Sequence, residues 1–328
     1  MKRHALVTGG SGFLGINIIL LLIEQDWRVS VLHRKSSDLT DLQELDVNLI
    51  VSDLVDKETL KIVFPADVDV VFHVAGDTNM WQKNNDRQYQ TNVVATDILS
   101  EVAILKGVGR FIHTSSISAF GFHDSVIDES TPSKALTSGV NYLKTKYLGE
   151  QLIKNKVEQG RLDAVILNPC AIIGKYDRHN WAQLFLMVNE GRLPGVPKGE
   201  GSYCHVSAVA QAHINAVENG KKGENYILAG VDHSFLDVVT KIGVMLDKPT
   251  PKRTVPELVL MALGKSSYLL SLITNKEPDM TPEKATMVSK RVVAKSDKAV
   301  RDLSYDNTVT VEYMLTDCFN WLKSKNLI

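Results

Sequence analysis

Short apolar runs alternate with helix-like stretches through the first half of the chain. The runs with strand character are HALVTGG, WRVSVLHR, NLIVSDL, DVVFHVAG, FIHTSS and DAVILNP, and GINIILLLIEQD between the first two has a helical pattern. Strands separated by helical segments predict βαβ units and a parallel sheet. In the run from Val68 to Val74, odd and even positions are both apolar apart from Asp69 and His73, which is typical of a strand covered on both faces.

The alternation weakens after Pro169. Residues 171–205 include GRLPGVPKGEG, whose glycines and prolines indicate loops. SAVAQAHINAVENG then predicts a helix that ends at Gly220, NYILAG predicts one more strand, and the remainder is mostly helical. Within that remainder, the leucine-rich residues 255–273 predict a helical hairpin over a cleft. The alternative is a membrane-surface helix, which is less favoured because the polar face of these residues lacks a basic cluster.

These patterns predict an α/β fold, with a Rossmann-type doubly wound parallel sheet and a smaller, partly interleaved C-terminal substrate lobe. A substrate would bind in the crevice between the two. The expected bounds are residues 1–170 for the dinucleotide-binding domain, with 205–230 returning to it, and residues 171–204 and 231–328 for the lobe.

A glycine-rich loop, TGGSGFLG, follows the first predicted strand. Glycine allows a tight turn and lets backbone N–H groups approach a pyrophosphate, while the following helix directs its positive end at that charge. The position between a strand and an apolar helix is the context that such a motif requires. We predict that Gly9, Gly12, Phe13, Leu14 and Gly15 bind a dinucleotide.

Basic residues follow the second predicted strand, where an NAD-specific site usually has a carboxylate for the ribose 2′-OH. The chain has His33, Arg34 and Lys35 there. A guanidinium can bind a 2′-phosphate that a carboxylate would repel. We therefore predict NADP(H) rather than NAD(H), bound by Arg34 and Lys35. Asp53 and Leu54, after the third strand, are predicted to contact the adenine, although Asp53 can equally be a helix cap.

Tyr142 and Lys146 are separated by one helical turn in NYLKTK. A free tyrosine has a pKa near 10. A lysine at i+4 shares its helix face, and its positive charge favours the phenolate. We expect Lys146 to lower the pKa of Tyr142 towards neutrality, so that this tyrosine can act as a general acid in hydride transfer at a carbonyl group.

Composition sets the class of protein. Apolar residues make up 44% and charged residues 23%, and the net charge is −1. This balance predicts a globular protein with a substantial core and without a general field for nucleic acid. No stretch has the form of a signal peptide or of an integral membrane segment. The three cysteines are scattered and no metal-binding spacing occurs. We expect a cytoplasmic protein without a metal.

The motifs together resemble the extended short-chain dehydrogenase/reductase superfamily. TGGSGFLG, SDL, HVAG, TNVVATDIL, HTSSISAFG, NYLKTK and NPCAIIG occur in that order between residues 8 and 174, and HVSAVAQAHINAVENGKKGENYILAG continues the likeness. The arginine after the second strand and the HTSS, YxxxK and NP motifs are most similar to the dihydroflavonol-4-reductase-like branch. That branch reduces ketones or aldehydes with NADPH.

The resemblance implies a role for each matching residue. Tyr142 would protonate the carbonyl oxygen, Lys146 would bind the nicotinamide ribose, and Ser116 would orient the substrate oxygen, with Ser115 as the competing serine. Asn92 matches a catalytic asparagine of the superfamily, although its role in this branch can be structural. Ala75, Gly76 and Pro169 would line the cofactor. A small-molecule carbonyl substrate and a homodimer, formed through the helices near residues 92–105 and 141–158, are also implied.

Two departures concern loop geometry. Asn141 stands where many extended members have proline, and GKYD at residues 174–177 replaces a common GP turn. The substrate side is less informative, but segments containing Trp81, Phe122, Tyr176 and Trp181 could form an aromatic pocket or could seal the contact between the lobes.

Two other functions share the same motifs. A nucleotide-sugar epimerase or dehydratase uses the same tyrosine and lysine with bound NAD, but would favour an acidic residue after the second strand. A non-catalytic NADP-sensing protein would keep the nucleotide site, but such proteins tend to lose the tyrosine or the lysine.

Overall fold

A seven-stranded parallel sheet forms the centre of the computed structural model, which describes residues 2–193 and 195–328. Its strands are β1 (His4–Thr8), β2 (Arg28–His33), β3 (Asn48–Val51), β4 (Val70–His73), β5 (Arg110–Thr114), β6 (Ala164–Pro169) and β9 (Asn225–Leu228). Their spatial order is β3-β2-β1-β4-β5-β6-β9, which places the carboxyl ends of all seven strands at one edge. The prediction of a doubly wound parallel sheet is confirmed.

Helices cover both faces of this sheet. They are α1 (Phe13–Glu24), α2 (Lys57–Val63), α3 (Asn85–Tyr89), α4 (Ala95–Leu105), α5 (Asn141–Glu158) and α7 (Val206–Asn219), and a π-helical segment, Gln90–Val94, joins α3 to α4. One core contains apolar side chains from α1, α7 and the strands, and a second contains those from α2, α4 and α5. The central strands are therefore buried on both faces, which explains their continuous apolar runs.

A second, smaller sheet was not expected from the sequence. It consists of β7 (Ala171–Ile173), β8 (Glu200–His205), β10 (Val231–Ser234) and β11 (Arg291–Val292), with β8 paired to the other three. The prediction that residues 171–205 are loops is wrong in part, because they also contain α6 (Ala182–Asn189). These strands have two to six residues and include glycine and serine, so they lack a strand pattern.

The C-terminal part is mostly helical, as predicted. Its helices are α8 (Phe235–Leu246), α9 (Glu257–Thr274), α10 (Pro282–Ser289), α11 (Asp297–Leu303) and α12 (Val311–Ser324). A third core packs α6, α8 and α12 together through residues such as Phe185, Ile242 and Met314. Residues 257–274 form one continuous helix rather than a hairpin by themselves, and the hairpin is made by α9 with α10.

Helix α9 is long and apolar enough to cross a membrane by length and composition, a property not expected from the sequence. Only 17% of its 18-residue window is buried in the protein. Among the residues that the structure describes, no other helix meets the same two criteria.

Candidate active site

The glycine loop lies between β1 and α1 and folds back on itself. Gly9 has a φ of +70°, and a Cβ added to it would lie 2.6 Å from the Ala75 nitrogen. A Cβ on Gly15 would lie 2.1 Å from the Gly9 carbonyl oxygen. Position 9 therefore needs glycine because its φ is positive and because Ala75 leaves no space for a side chain. Position 15 needs glycine because α1 lies against the backbone of the loop.

The amino end of α1 is suited to an anion. Gly12 is its N-cap, provides no side-chain cap and is followed by no acidic residue in the first turn. The backbone N–H groups at this end therefore have no competing carboxylate. Leu14 is buried in the core and Phe13 is half-buried, so we expect these two residues to contribute their backbone rather than their side chains.

The basic turn after β2 is open to solvent. Arg34 and Lys35 are exposed, and neither forms an ion pair among the described residues. Arg34 lines a cavity of about 260 Å³ together with Gly76, Asp77, Thr78, Arg87 and Thr91. This cavity lies between the turn after β2 and the loop after β4, and Arg34 is one of the two cations that line it.

Asp53 and Leu54 follow β3 at the same edge of the sheet. Asp53 is exposed, and its Oδ1 accepts a hydrogen bond from the Val55 nitrogen at 3.2 Å. Leu54 is half-buried beside the core that contains α2. The helix cap at α2 is Asp56 and not Asp53, so that alternative role for Asp53 is wrong.

Ser116 and Tyr142 meet at the carboxyl end of β5. The Ser116 hydroxyl is close enough to Tyr142 to lower the pKa of its phenol, and the Ser116 Oγ accepts a hydrogen bond from the Ser118 nitrogen at 3.1 Å. Ser115 instead donates to Glu150 Oε2 at 2.8 Å and is directed away from the tyrosine. Of the two serines considered from the sequence, Ser116 is therefore the one beside the phenol.

Burial raises the pKa of Tyr142, which differs from the lowering that we expected from Lys146. The Ser116 hydroxyl acts in the opposite direction, and the Asp77 carboxylate adds to the rise. Burial also lowers the pKa of Lys146 to about 8, while Glu150 opposes this change. The physical reason is desolvation, which disfavours the charged form of both groups. The Lys146 Nζ donates to the Thr114 carbonyl at 2.8 Å.

Glu150 lies one further turn along α5 and was not identified from the sequence. Its carboxylate is buried and accepts hydrogen bonds at 2.8 Å from Ser115, Asn168 and Asn225. It also forms an ion pair with Lys154 at 3.0 Å. Glu150 therefore connects α5 to the ends of β5, β6 and β9. The only sequence signal was its i+4 spacing from Lys146.

Asn92 fastens the loop after β4 to α5. Its Oδ1 accepts from the Asp77 nitrogen at 2.7 Å, and its Nδ2 donates to the Asp77 carbonyl at 2.9 Å and to Thr145 Oγ1 at 3.0 Å. Every polar atom of the amide is occupied, which favours a structural role over a catalytic one. A Cβ on Gly76 would lie 3.5 Å from Asn92 Oδ1 and 3.8 Å from Lys146 Nζ.

Tyr142 packs on a small apolar cluster. A small core of Ala135, Val140 and Leu143 contacts the half-buried Phe122, Tyr142, Tyr147 and Met287. Met287 comes from α10 and was not identified from the sequence. Asn141 connects the same helix to the site, because its nitrogen donates to Glu283 Oε2 at 3.2 Å. The departure from proline therefore joins α5 to α10.

The other predicted aromatics lie elsewhere. Trp181 packs on Tyr203 and Phe235 with ring centroids 4.9 and 5.0 Å apart, and Tyr176 packs on Trp321 at 5.5 Å. Both belong to the cores of the smaller lobe, which supports their sealing role. Pro169 is buried at the end of β6, where it pairs with Leu228 of β9.

Comparison with known proteins gives one family match. The model of the NAD dependent epimerase/dehydratase family matches residues 5–229. A putative dihydroflavonol 4-reductase from Synechocystis is 27% identical, over 98% of this chain and 95% of that protein. Sterol demethylase protein B from Methylococcus capsulatus is 24% identical over 98% and 99%, respectively.

Solved structures share the whole fold. The crystal structure of gox2253 has a TM-score of 0.84 and 30% identity, with 99% of each chain covered. A UDP-glucose 4-epimerase from Thermotoga maritima has a TM-score of 0.80 and 19% identity, covering 99% of this chain and 100% of that one. Its identity is low, so this second likeness concerns the fold alone.

Proposed function

The chain belongs to the NAD dependent epimerase/dehydratase family, within the extended short-chain dehydrogenase/reductase superfamily, and from that premise we propose that it reduces a ketone or aldehyde with NADPH. The observation that carries the proposal is the proximity of the Ser116 hydroxyl to Tyr142, beside a small apolar cluster and with Lys146 buried one helical turn along α5. Residues 1–170 and 205–230 would hold the cofactor, and residues 171–204 and 231–328 the substrate.

The residues of the chain fit such a cofactor. The glycine loop leaves no space for side chains at Gly9 and Gly15, α1 presents an uncapped amino end, and Arg34 is available for a 2′-phosphate. Lys35, Asp53, Leu54, Ala75, Gly76, Tyr142, Lys146 and Pro169 complete the proposed cofactor contacts. Bound NADPH would supply the hydride.

Tyr142 supplies the proton in this proposal. A raised pKa keeps its phenol protonated at neutral pH, so it can donate to the substrate oxygen as negative charge develops there. The Ser116 hydroxyl orients the same oxygen. Lys146, whose pKa is about 8, is mostly protonated at neutral pH. Its positive charge would favour the phenolate that forms when Tyr142 gives up its proton.

We further propose a bulky apolar carbonyl compound as the substrate. Phe122, Met287 and Tyr142 pack on the same apolar cluster of Ala135, Val140 and Leu143, which would suit an apolar substrate. Two relatives are named for apolar compounds: a 3-beta-hydroxysteroid dehydrogenase of Mycolicibacterium neoaurum, at 26% identity, and a farnesyl-dihydroquinoline-oxide ketoreductase of Stigmatella aurantiaca, at 28%. A cytoplasmic homodimer through α4 and α5 completes the proposal, and light scattering tests its mass.

Cofactor choice is the first test. Thermal unfolding is followed during titration with NADP+ and with NAD+, because a ligand of the folded state raises stability by RT ln(1 + [L]/Kd). We expect NADP+ to bind more tightly. In Arg34→Ala that preference should fall by roughly tenfold or more, since a charge-assisted hydrogen bond contributes about 1.5–3 kcal/mol. Asp38→Ala, in the same loop, is the matched control.

A preference for NAD+ would contradict this assignment and favour the epimerase or dehydratase interpretation. If NADP+ binds but no carbonyl compound in a panel of steroid, isoprenoid and aromatic ketones consumes NADPH, the sensing interpretation gains support instead.

A further inference from the structure

Helix α9 directs apolar side chains away from the protein. Ile273 is 85% exposed, Leu258 83%, Leu269 63% and Leu270 60%, and Ala262 is exposed between them. At 100° per residue, Leu258, Ala262, Leu269 and Ile273 form one outward stripe, which the exposed Lys265 and Ser266 interrupt, and Leu270 lies beside it. A soluble helix normally has its polar residues on this side, so the arrangement is the reverse of the usual one.

The inner side of α9 is fastened to the protein. Leu260, Gly264 and Ser271 are buried, and Ser271 Oγ accepts a hydrogen bond from Trp81 Nε1 at 3.1 Å. A Cβ on Gly264 would lie 2.9 Å from the Thr281 carbonyl carbon, so α9 contacts the start of α10 without space for a side chain. Crossing a bilayer would break these contacts, whereas lying on a surface keeps them.

Cations surround the apolar stripe. Lys252 and Arg253 precede α9, Lys265 lies on it and Lys276 follows it; all four are exposed, and none forms an ion pair among the described residues. Of the carboxylates in this region, Glu257 pairs with Lys290 at 3.1 Å and Glu277 with Lys284 at 3.3 Å, while Asp279 shares Arg192 with Glu190. Asp247 forms no ion pair among the described residues. The surface around α9 is therefore positive.

We propose that α9 is a membrane-docking surface, which lies in the interface of an anionic lipid bilayer with its apolar stripe among the acyl chains and its cations at the phosphates. Exposed apolar side chains extend from Leu272 around the outward stripe to Leu263, so the surface is a convex ridge. Acyl chains adapt to a ridge, whereas a second protein copy would need a matching groove. The flanking cations complement anionic headgroups and would repel one another between two copies.

The docked orientation places the reaction site next to the lipid. Trp81 and Asn79 of the loop after β4 contact Ser271 and Glu277 at the carboxyl end of α9, and Met287 of α10 packs on the same apolar cluster as Tyr142. If the proposed function is correct, an apolar carbonyl compound dissolved in the bilayer could enter the site of Tyr142 without passing through water. The docking itself does not depend on that activity.

Co-sedimentation with vesicles tests the docking without cofactor or substrate. The full chain is mixed with vesicles of phosphatidylcholine alone and with vesicles containing 30% phosphatidylglycerol. We expect binding to the anionic vesicles and much weaker binding to the neutral ones. The double variant Leu269→Glu/Ile273→Glu should bind roughly tenfold less or worse. Lys252→Ala and Lys276→Ala should each weaken binding about fivefold, corresponding to ~1 kcal/mol for a cation at the surface.

Ile62→Glu/Val244→Glu is the matched control, because these side chains are 83% and 79% exposed on α2 and α8, outside both α9 and the proposed dimer helices. It should bind like the unmodified chain. Failure of the unmodified chain to sediment with anionic vesicles overturns the proposal, and so does equal loss in the control. Light scattering is run in parallel. A mass that halves only in the α9 variant, without vesicle binding, would instead make α9 an interface between copies. NADPH oxidation by the same variants reports on the proposed function separately.

Discussion

Helices α5 and α9 both have 18 residues, but the polar helix is the more buried of the two and the apolar helix is the more exposed. α5 is the more polar of the two, yet it buries Lys146, Glu150 and Lys156. α9 is rich in leucine, yet it buries only Leu260, Gly264 and Ser271. Composition therefore does not decide which helix is internal. The partners that each helix meets decide it, because a buried charge is tolerated where hydrogen bonds replace its water.

The difference also separates two kinds of function. On α5, polar groups one turn apart face the carboxyl ends of the strands, where an apolar surrounding strengthens their electrostatic effect on a reacting molecule. On α9, apolar groups face outward, where they can act only on a second body. Substitutions on α5 should therefore affect chemistry and stability, and substitutions on the outward stripe of α9 should affect neither.

The largest expected effect is on turnover and comes from Tyr142→Phe. Removing the phenolic hydroxyl removes the proposed proton donor while leaving the ring packed on the apolar cluster, so kcat should fall by roughly 10²–10⁴-fold. Steady-state NADPH oxidation measures this loss. Thermal stabilisation by NADP+ should remain, since the glycine loop and Arg34 are unchanged. Unchanged turnover would remove Tyr142 from the catalytic role.

The second effect is on stability and concerns Glu150. Glu150→Ala leaves Ser115, Asn168 and Asn225 without their common acceptor and should lower the free energy of unfolding by about 3–5 kcal/mol. Urea denaturation measures the change. Glu150→Gln retains one acceptor oxygen and a similar volume, so its loss should be clearly smaller.

The same two variants separate packing from electrostatics. Glu150 opposes the lowering of the Lys146 pKa, so Glu150→Gln should lower that pKa further below about 8 and move the alkaline limb of the rate profile to lower pH. If the profile stays fixed while stability falls, Glu150 acts through hydrogen bonding alone.

A smaller effect appears in acid, where buried histidines extend the polar network of α5. His213 Nε2 contacts the Thr114 hydroxyl at 2.9 Å, and the carbonyl of the same threonine accepts from Lys146. Burial lowers the pKa of His213 to about 4, below its ordinary value of 6.5. As the pH falls, His213 is therefore protonated in the unfolded chain before it is protonated in the folded protein. Neutral His213 contributes fully to stability above pH 6.5, and this contribution is lost as the pH falls towards 4.

At pH 4.5 this loss amounts to about 2–3 kcal/mol for His213. Urea unfolding at pH 7 and pH 4.5 should therefore show a smaller acid-induced decrease for His213→Gln than for the unmodified chain, by about that amount. Other titrating groups cancel in the comparison. An identical decrease in both proteins would mean that the pKa of His213 is not lowered in the folded protein.

What could be predicted from the sequence follows the range of the interactions involved. The glycine loop, the basic turn and the spacing of Tyr142 and Lys146 are recognisable in short stretches of sequence, and their roles in binding and catalysis stay predictions. The central strands were recognisable because they are covered on both faces and read as apolar runs. The direction of the Tyr142 pKa was predicted wrongly, because desolvation depends on the whole surrounding and exceeds the effect of one neighbour.

Contacts between distant segments could not be predicted in this way. Glu150 accepts a hydrogen bond from Asn225, 75 positions away, and Met287 of α10 packs on the same apolar cluster as Tyr142. The smaller sheet was missed because its strands are short and pair with segments far along the chain. The exposure of α9 has the same origin, since an apolar helical pattern gives the same sequence signal whether the helix is internal or external.

The smallest expected effect is the stability change of Ile273→Lys, and it provides the strictest test of the comparison. Ile273 is 85% exposed, so its replacement removes little buried area and should change the free energy of unfolding by no more than about 0.5 kcal/mol. Ile153→Lys, on the buried face of α5, is the matched variant and should prevent stable folding, because it places an unpaired charge in the core. Urea unfolding measures the first and soluble yield the second. A large loss in Ile273→Lys would mean that the outward stripe is covered in the isolated protein, and the contrast between a buried polar helix and an exposed apolar one would then be wrong.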